Sequence, residues 1–460
     1  MRRVMRKIII VSLCITLFAV LFQSCKVGKS YKRPVMELPD SLWNEQTYLS
    51  IADREWWEVY TDGPLRDLIK KTLISNKDMM IAAARLREMA ALRRVNTANL
   101  LPQLNGDVSG EREFENDGGH NSTQSNTFEG KLLLSWELDL WGNLRWARTA
   151  AIAEYLQSLE AQRALRMTIV AEVAQSYYEL VALDNELNIV KQTLRAREEG
   201  VRIARLRFEG GLTNETPYQQ ARLEVARTAT MIPDLERQIS QKENDIAFLS
   251  GELPQNIARS RLLEEYNYST MLPVGMPSGL IERRPDIREA EQALITANAN
   301  VGVAYTNMFP RLTLTGQYGL ESSELSSFLK SPYALINGAI TGPIFSAGKN
   351  RAKWRAQQAV YEQAYHSYEK AVLNAFREVR NSIVDFNKVR EMCGLQINLE
   401  KSAKSHVDLT QFQYINGVIT YLDVLDAQRV YFDAQIGLSN AIRDELISVV
   451  QVYKALGGGW

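Results

Sequence analysis

The 460-residue sequence contains few of the residue types that carry most enzymatic and metal-binding chemistry. It has three cysteines and three histidines, and the histidines at 120, 366 and 406 are far apart in the chain. No serine–histidine–aspartate or metal-ligand spacing is present, so we expect no enzyme activity, no bound metal and no cofactor. Basic and acidic residues balance at 54 each, which excludes the strongly basic surface typical of nucleic-acid-binding proteins.

Long apolar runs are absent beyond the N-terminal region. A membrane-spanning helix needs about 18 or more consecutive apolar residues, so none is expected in the mature chain. The N-terminus has basic residues up to Lys7 and a mainly apolar stretch from Ile8 to Phe22, which is typical of an export signal. The stretch ends in LFQSC, which resembles a lipoprotein signal covering residues 1–24 with Cys25 as the lipidated residue. An ordinary secretory signal with an incidental cysteine is the alternative.

The cysteine count leaves no intrachain disulfide. Cys14 is removed with the signal and Cys25 carries the lipid, so Cys393 is the only cysteine left. Cys393 lies among apolar positions in three-, four- and seven-residue steps that run from Val372 to Ile397. This spacing is typical of a coiled-coil seam, so we interpret Cys393 as a small core residue and not as a nucleophile.

One long unit of sequence occurs twice. Its clearest part is GPIFSAGKNRAKW at 342–354, which matches WELDLWGNLRWAR at 136–148. Pairs that recur with the same separation of 206 positions are Gly142 and Gly348, Arg145 and Arg351, Glu172 and Glu378, and Gly211 and Gly417. The repeat indicates one body built from two similar halves and not a series of unrelated domains.

Each half is predicted to contain a helix, a β-hairpin, a long helix and a return helix, in that order. Asp62 is expected to cap the first helix, which the pattern extends over 62–100, and a polar loop is expected at 115–126. The predicted division of the chain is an N-terminal arm at 25–61, a first repeat at 62–250 with its hairpin at 102–140, an equatorial linker at 251–283, and a second repeat at 284–460 with its hairpin at 310–346.

The hairpin strands alternate between apolar and polar residues. In the first hairpin, Phe128, Leu132 and Trp136 share one parity, while Glu129 and Lys131 have the other. Period-two patterning over about ten residues is typical of a membrane β-barrel with a polar lumen, although on the strands alone a soluble amphipathic hairpin is the simpler interpretation. Four strands cannot close a barrel, since known barrels begin at eight strands, so membrane embedding requires oligomerisation.

Helical patterns without proline follow both repeated glycines for about 65 residues, on the order of 100 Å. Helices of this length indicate coiled-coil packing. The predicted turns and return helices are Gly210-Gly211 followed by 214–250, and Gly417 followed by 420–456.

Motifs spread over nearly the whole mature chain resemble those of one family. They are CKVGKSYKRP at 25–34, RRPDIREAEQAL at 283–294, NMFPRLTLTGQYG at 307–319, GPIFSAGKNRA at 342–352, GVITYLDVLDAQR at 417–429 and LGGGW at 456–460. In content and order they resemble the outer membrane factor family of TolC-like channels, close to its OprM/NodT lipoprotein branch. The arm departs from the family's usual Gly-Pro-Asp-Tyr, since the sequence at 28–31 is Gly-Lys-Ser-Tyr.

The resemblance implies a fold, a function and partners. Family members are homotrimers whose chains each contribute four strands to a twelve-stranded outer-membrane β-barrel, continuous with a long periplasmic α-helical coiled-coil barrel. We therefore expect a mainly α fold with membrane β-strands and an internal duplication. The implied function is a passive exit duct for small toxic compounds or drugs. The implied partners are outer-membrane lipid, a periplasmic adaptor protein and an inner-membrane resistance-nodulation-division pump, and no nucleic acid.

The resemblance also implies a periplasmic gate in the second repeat. Asp423 and Asp426 correspond to the family's acidic constriction, Leu422 to an apolar ring and Arg429 to a latch partner. Three-fold symmetry would turn each aspartate into a ring of three, which attracts cations and repels anions. From spacing alone, two aspartates three positions apart on a helix more simply form a solvated face.

The helix turns are the implied adaptor contact, at Gly210 and Gly211 in the first repeat and at Gly417 in the second. The first-repeat counterpart of the gate, NETPYQQAR at 214–222, lacks both aspartates, so the gate is expected to differ between the repeats.

Other functions stay open from the sequence. A channel for secreted proteins, a metal-ion efflux channel and a non-channel periplasmic coiled-coil scaffold are the alternatives. The lipoprotein signal and the RPDI and GGGW motifs favour multidrug-type efflux. Methionines such as Met79 and Met80 do not form a soft-metal ladder.

Overall fold

A computed structural model describes residues 26–36, 50–117, 121–259, 263 and 277–460. The predicted signal peptide, Cys25 and parts of the predicted arm and linker lie outside the described residues. The described residues divide into two compact units, each assembled from three stretches: the first from those within 1–36, 84–159 and 289–370, and the second from those within 37–83, 160–288 and 371–460.

The strands of the first unit form one antiparallel sheet in the order β1-β2-β3-β4. They are β1 (Gln103–Asp117), β2 (Asn121–Leu138), β3 (Arg311–Ser322) and β4 (Pro332–Thr341). β2 pairs directly with β3, so the hairpins of the two repeats share a sheet. The predicted loop at 115–126 is wrong, because pairing continues outward until Asp117 lies opposite Asn121. Ladder hydrogen bonds use only backbone groups, so polar side chains do not end it.

The described chain has helices on both sides of each hairpin and short helices in the predicted arm and linker. They are α1 (Trp56–Val59), α2 (Gly63–Ser75), α3 (Lys77–Ala98), α4 (Asn143–Glu209), α5 (Thr216–Ala229), α6 (Met231–Leu249), α7 (Pro277–Arg283), α8 (Pro285–Thr306), α9 (Lys349–Ile415) and α10 (Tyr421–Ala455). Within the described residues, no helix combines the length and the hydropathy needed to cross a membrane.

The duplication is visible in the two long helices. α4 and α9 each contain 67 residues, and both their first and last residues are 206 positions apart. Each begins directly after a glycine with positive φ, 82° at Gly142 and 79° at Gly348. A positive φ is unfavourable for residues with a Cβ atom, which explains why both copies have glycine where the strand segment turns into the helix.

The predicted helix over 62–100 is interrupted at Asn76. The Asn76 backbone has ψ 132°, which is not helical. Its side chain caps the next helix, since Oδ1 accepts from the Met79 N–H at 2.9 Å and Nδ2 donates to the Leu249 carbonyl at 2.8 Å. Asp62 lies at the predicted N-cap position of α2, but its side chain makes no cap hydrogen bond. Its buried carboxylate accepts a hydrogen bond from the Tyr177 hydroxyl at 3.0 Å.

The first return helix is interrupted as well. The pattern predicts one helix over 214–250, whereas α5 ends at Ala229 and α6 begins at Met231. Pro233 explains the break, because a proline has no N–H to donate and its ring collides with the carbonyl four residues earlier, that of Ala229. The second return helix, α10, contains no proline and is continuous over 35 residues.

A large hydrophobic core holds the second unit together. Within it, Trp56, Tyr60 and Leu65 pack with Val173 and Tyr177 of α4, all with less than 4% of their surface exposed. Burying each such side chain contributes roughly 1.5–3 kcal/mol to folding.

Cys393 is buried on α9, as expected for a small core residue on the predicted coiled-coil seam. Burial, followed by the hydrogen bond to Glu445, raises the pKa of its thiol to about 11. Ile397, at the end of the predicted seam, is 50% exposed and does not belong to it.

The N-terminal arm is fastened to the first unit. The Val27 N–H donates to the Trp141 carbonyl at 3.1 Å, and Trp146 Nε1 donates to the Val27 carbonyl at 2.7 Å. Further along the arm, Arg33 makes two hydrogen bonds of 2.6 Å to the carboxylate of Glu291. Gly28 lies so close to the Trp146 ring that a Cβ atom would be 2.9 Å from it. The arm residues are therefore suited to close packing against the first unit.

Candidate gate and docking turns

The turns that end the two long helices have the same backbone geometry. Gly211 has φ 71° and Gly417 has φ 78°. The residue after each glycine donates its N–H to the carbonyl five positions earlier, Leu212 to Arg207 at 2.8 Å and Val418 to Gln413 at 2.9 Å. This is the Schellman arrangement, which uses a left-handed residue to satisfy the last helical carbonyls. Gly210 lies on the helical side of the first turn, with its N–H donating to Leu206.

Large apolar side chains are exposed around both turns. Leu212 is 71% exposed in the first, and Phe412, Ile415 and Val418 are 64–70% exposed in the second. Clustered exposed apolar residues mark interaction surfaces.

Asp423 forms the capping box of α10. The Thr420 hydroxyl donates to the Asp423 carboxylate at 2.6 Å, and the Thr420 N–H donates to the same oxygen at 2.9 Å. These hydrogen bonds, with the side-chain one larger, lower the pKa of Asp423 below its ordinary value of 3.8. The carboxylate is therefore held ionised at the helix start, where the helix dipole favours negative charge.

The predicted gate residues lie on one exposed face of α10. Leu422 is 57% exposed, and Asp423, Asp426 and Arg429 are also exposed. Their spacing of three to four residues places them along one side of the helix.

The opposite side of α10 packs into the second unit. Tyr421, Val424 and Leu425 are buried against Ala204 of α4 and Ala221 of α5. Burial raises the pKa of the Tyr421 hydroxyl to about 12, with a further contribution from Tyr414. The buried face thus fixes the rotation of α10 and presents the gate residues outward.

Arg429 is paired within its own chain. Its guanidinium donates to Glu224 of α5, whose other carboxylate oxygen is 3.1 Å from the Arg197 guanidinium of α4. The side chains of Glu224 and Arg197 are only 4% and 8% exposed. We call these three residues the arginine–glutamate triad.

The electrostatics of the triad favour its charged form. Burial alone raises the pKa of the Glu224 carboxyl, but the Arg429 hydrogen bond and the positive charges of Arg197 and Arg429 outweigh it. The pKa of Glu224 therefore lies below the ordinary value of 4.5. Burial lowers the pKa of Arg197, against the attraction of Glu224.

Sequence reasoning missed Glu224 and Arg197 because charged residues on a long helix usually lie on a solvated face. A comparison of corresponding positions in the two repeats could have identified them. At the separation of 206 positions, Arg197 corresponds to Ala403 and Glu224 to Val430. An ionic pair that replaces two apolar residues of the other copy indicates a contact specific to one repeat.

The first repeat offers no equivalent acidic face. At the same separation, Asp423 corresponds to Pro217 and Asp426 to Gln220. α5 also begins without a side-chain cap. The two turns therefore share backbone geometry and differ in charge.

The sheet has two chemically distinct faces. Register places Leu104 opposite Leu134, Leu134 opposite Gly316 and Leu312 opposite Ile340, so even-numbered positions share one face. On the other face, Glu129 accepts hydrogen bonds from Lys131 at 2.7 Å and from the Tyr333 hydroxyl at 2.5 Å. We call these the apolar face and the polar face. The parity predicted from the sequence is confirmed by this register.

Comparison with known proteins places these features in one family. The sequence model of the family described as "Outer membrane efflux protein" matches residues 68–252 and 276–458. The cation efflux system protein CusC of Escherichia coli O6:H1 is 30% identical over 449 residues, 96% of this chain and 97% of CusC. The solvent efflux pump outer membrane protein SrpC of Pseudomonas putida is 34% identical over 415 residues, 88% of this chain and 87% of SrpC. The solved structure of the outer-membrane channel OprN aligns with a TM-score of 0.89 and 26% identity, covering 95% of this chain and 100% of that chain.

A duplicated chain with a two-faced sheet and two long helices is the protomer of an outer-membrane channel. The chain belongs to the outer membrane efflux protein family. The predicted fold class is confirmed, because the structural neighbours are trimeric channels of the same construction. The protein is an outer-membrane efflux channel, as its relatives are channels of tripartite efflux systems, and the scaffold alternative is set aside. The family is one of passive channels and not of enzymes.

Proposed function

We propose that three copies of this chain form a closed duct through the outer membrane, gated by α10 and anchored by lipid at Cys25. The observation that carries the proposal is the two-faced sheet. Its apolar face exposes side chains such as Val108, Ile336 and Ile340, which are 73–89% exposed and suit lipid. Its polar face suits a water-filled lumen.

In a trimer, the outer edges of strands β1 and β4 would pair with strands of neighbouring copies. β1 and β4 each have one neighbour within the sheet of the described chain, which leaves a row of backbone groups on each outer edge. Unpaired edges are not tolerated in the bilayer, so the edges must pair between copies. Twelve strands then close the barrel.

Exposed apolar residues on the second long helix support the same assembly. Along α9 they recur at Leu373, Val384, Met392, Leu395, Leu399 and Leu409, with 48–65% of each side chain exposed. A long helix with an uncovered apolar stripe is stable in water only when another helix covers it. A neighbouring protomer supplies that cover.

The arm supports lipid anchoring at Cys25. The residue that follows, Lys26, has its ammonium 3.4 Å from the centre of the Trp146 ring. Nearby, Trp141 stacks on Phe309 with 5.0 Å between the ring centres. Trp146 is buried, whereas Trp141 is partly exposed, and partly exposed tryptophans mark the headgroup level of a membrane. A lipid on Cys25 would enter the bilayer there. Mass spectrometry of the mature N-terminal peptide tests this, and an unmodified cysteine would refute it.

The gate is proposed to close where Leu422, Asp423 and Asp426 of three chains meet around the axis. Six carboxylates in a narrow passage would bind cations and exclude anions. Arg429 is assigned a supporting role, since its pairing with Glu224 holds α10 against the first repeat.

Conductance in planar bilayers tests the gate, with hexaamminecobalt(III) as the blocking cation. We expect the double variant Asp423→Asn with Asp426→Asn to lose the block and most of the cation selectivity. Thr420→Ala is the matched control, because it removes the partner that caps α10 and keeps both carboxylates. Unchanged block in the double variant would show that the gate lies elsewhere.

The turns at Gly210, Gly211 and Gly417 are proposed as the contact for a periplasmic adaptor, which connects the duct to an inner-membrane resistance-nodulation-division pump. The exposed apolar residues beside both turns support this. Photo-crosslinking from position 212 or 418 should capture the adaptor, whereas crosslinking from position 373 should capture a second copy of this chain. The reverse pattern would refute the assignment.

Small toxic compounds or drugs are the proposed cargo. Names of the relatives include both cation efflux and solvent efflux, which suggests that the pump and not the duct selects the substrate. Metal-ion export remains the second candidate, supported by the 30% identity to CusC over nearly the whole chain. Export measured after exchanging only this channel between pump systems distinguishes a selective duct from a passive one.

A further inference from the structure

The apolar face of the sheet carries one charged residue. The even-numbered positions of the four strands are apolar or uncharged, with the exception of Arg112 among the described residues. Placing a charge on a lipid-facing surface is costly near the bilayer centre and is tolerated close to the headgroups. The position of Arg112 along the strand therefore decides what it can do.

Arg112 lies near the outer end of the apolar band, with Phe114 the next residue outward on the same face of β1. Arg112 is paired with Asn126, and the next pair on that face toward the helices is Gly110 with Phe128. From Leu104, eight residues of strand rise roughly 27 Å, which is about 20 Å in height at the usual barrel tilt. An apolar band is about 25 Å tall, so the Arg112 backbone lies within about 5 Å of the band's outer edge, on the side away from Pro102. The long arginine side chain reaches the headgroups from this height.

The guanidinium of Arg112 has no carboxylate partner among the described residues. Glu111 and Glu113 are its neighbours in sequence, but in a strand adjacent side chains point to opposite faces. The guanidinium lies 5.2 Å from the centre of the Phe114 ring, which is 71% exposed. Asn126, directly opposite, adds a second hydrogen-bond donor within reach of the same ligand.

We propose that Arg112 and Asn126 bind the phosphate of a phosphorylated glycolipid in the outer leaflet. This rests on the proposed membrane position of the sheet. A guanidinium binds phosphate through two parallel hydrogen bonds, a geometry that an ammonium does not reproduce. The adjoining apolar band and Phe114 offer contact to acyl chains and sugar, which a free phosphate ion would not use.

Native mass spectrometry of the full mature protein with bis-phosphorylated lipid A tests the proposal. We expect Arg112→Gln to weaken binding by about tenfold and Arg112→Lys by less. Arg311→Gln is the matched control, because Arg311 is on the polar face at the other end of the sheet, 3.9 Å from Glu137. Dephosphorylated lipid A should bind the native protein and Arg112→Gln equally.

The outcomes separate this inference from the proposed function. A protein that forms no trimer and does not enter bilayers would refute the proposed duct and this site with it. A trimer whose Arg112→Gln variant binds phosphorylated lipid A as well as the native protein would overturn the lipid site alone. Displacement of lipid A by inorganic phosphate at similar concentration would also overturn it, since the site would then recognise the free ion.

Discussion

Arg429 on the second return helix donates a hydrogen bond to Glu224 on the first, so an ion pair joins the two repeats beside the gate residues. Glu224 is buried and also pairs with Arg197 of the first long helix. The face of α10 that carries Asp426 is therefore tied to the first repeat. An outward movement of α10 has to separate Arg429 from Glu224.

Replacing Glu224 with glutamine should loosen this region. The change removes the counter-charge of the buried Arg197, and breaking a buried ion pair costs roughly 3 kcal/mol. We expect amide hydrogen exchange in α5 and the start of α10 to accelerate about a hundredfold. The control is Glu199→Gln, since Glu199 and Arg202 pair at the surface with 54% and 62% of their side chains exposed. Equal effects of the two variants would contradict the role of the triad.

The triad also predicts a pH dependence. The pKa of Glu224 in the folded chain lies below its ordinary value of 4.5, so its contribution to stability is fully present above that value. The contribution is lost as the pH falls through the lowered pKa. The pKa of Asp423 is shifted in the same direction relative to 3.8. Hydrogen-exchange protection of α5 and α10 should be constant near neutral pH and decline in acid, and Glu224→Gln should remove most of that decline. A decline that begins near neutral pH would implicate other groups.

Glycine substitutions should have opposite effects at the turns and inside the helix. Gly417 has φ 78°, so Gly417→Ala forces a Cβ into the left-handed region at a cost of roughly 1–2 kcal/mol. Gly394 lies within α9, and the space that an added methyl group would occupy is open, so Gly394→Ala should stabilise the helix by roughly 0.5–1 kcal/mol. Amide hydrogen exchange near each site, measured over a series of urea concentrations, gives both changes in stability. Effects of the same sign would contradict the backbone argument.

The N-terminal arm should depend on Glu291. Its carboxylate, whose side chain is 9% exposed, accepts hydrogen bonds from Arg33 and from the Tyr31 hydroxyl. Glu291→Gln removes the charge that holds Arg33, so we expect faster proteolysis within residues 26–36. Lys29→Gln is the control, because Lys29 is exposed. Unaltered cleavage in Glu291→Gln would show that the Trp146 contacts alone fasten the arm.

Local rules predicted the elements that repeat. The spacing between Gly142 and Gly348 located the starts of both long helices, because a positive φ before a helix requires glycine. Alternation on the strands predicted which residues share a face, since strand parity is fixed by the backbone. Pro233 also carried a local signal, and the break at Thr230 follows from it.

Tertiary contacts decided the features that sequence reasoning missed. Asn76 ends a helix because its side chain can reach the Leu249 carbonyl, a partner far away in sequence. The Asp62 carboxylate accepts a hydrogen bond from the Tyr177 hydroxyl and makes none to the N-terminus of its own helix. Glu224 looks like an ordinary solvated charge until the fold places it between two arginines. The gate residues themselves came from the family resemblance, and their role stays a prediction.

A gated duct is tested most simply by the single-channel conductance of the purified mature protein, combined with its native mass. We predict a trimer that inserts into planar bilayers with a small, cation-selective conductance, which increases when Asp423 and Asp426 are both replaced by asparagine. A monomer that does not insert, or a trimer with a large resting conductance unaffected by these substitutions, would contradict a duct closed by these residues.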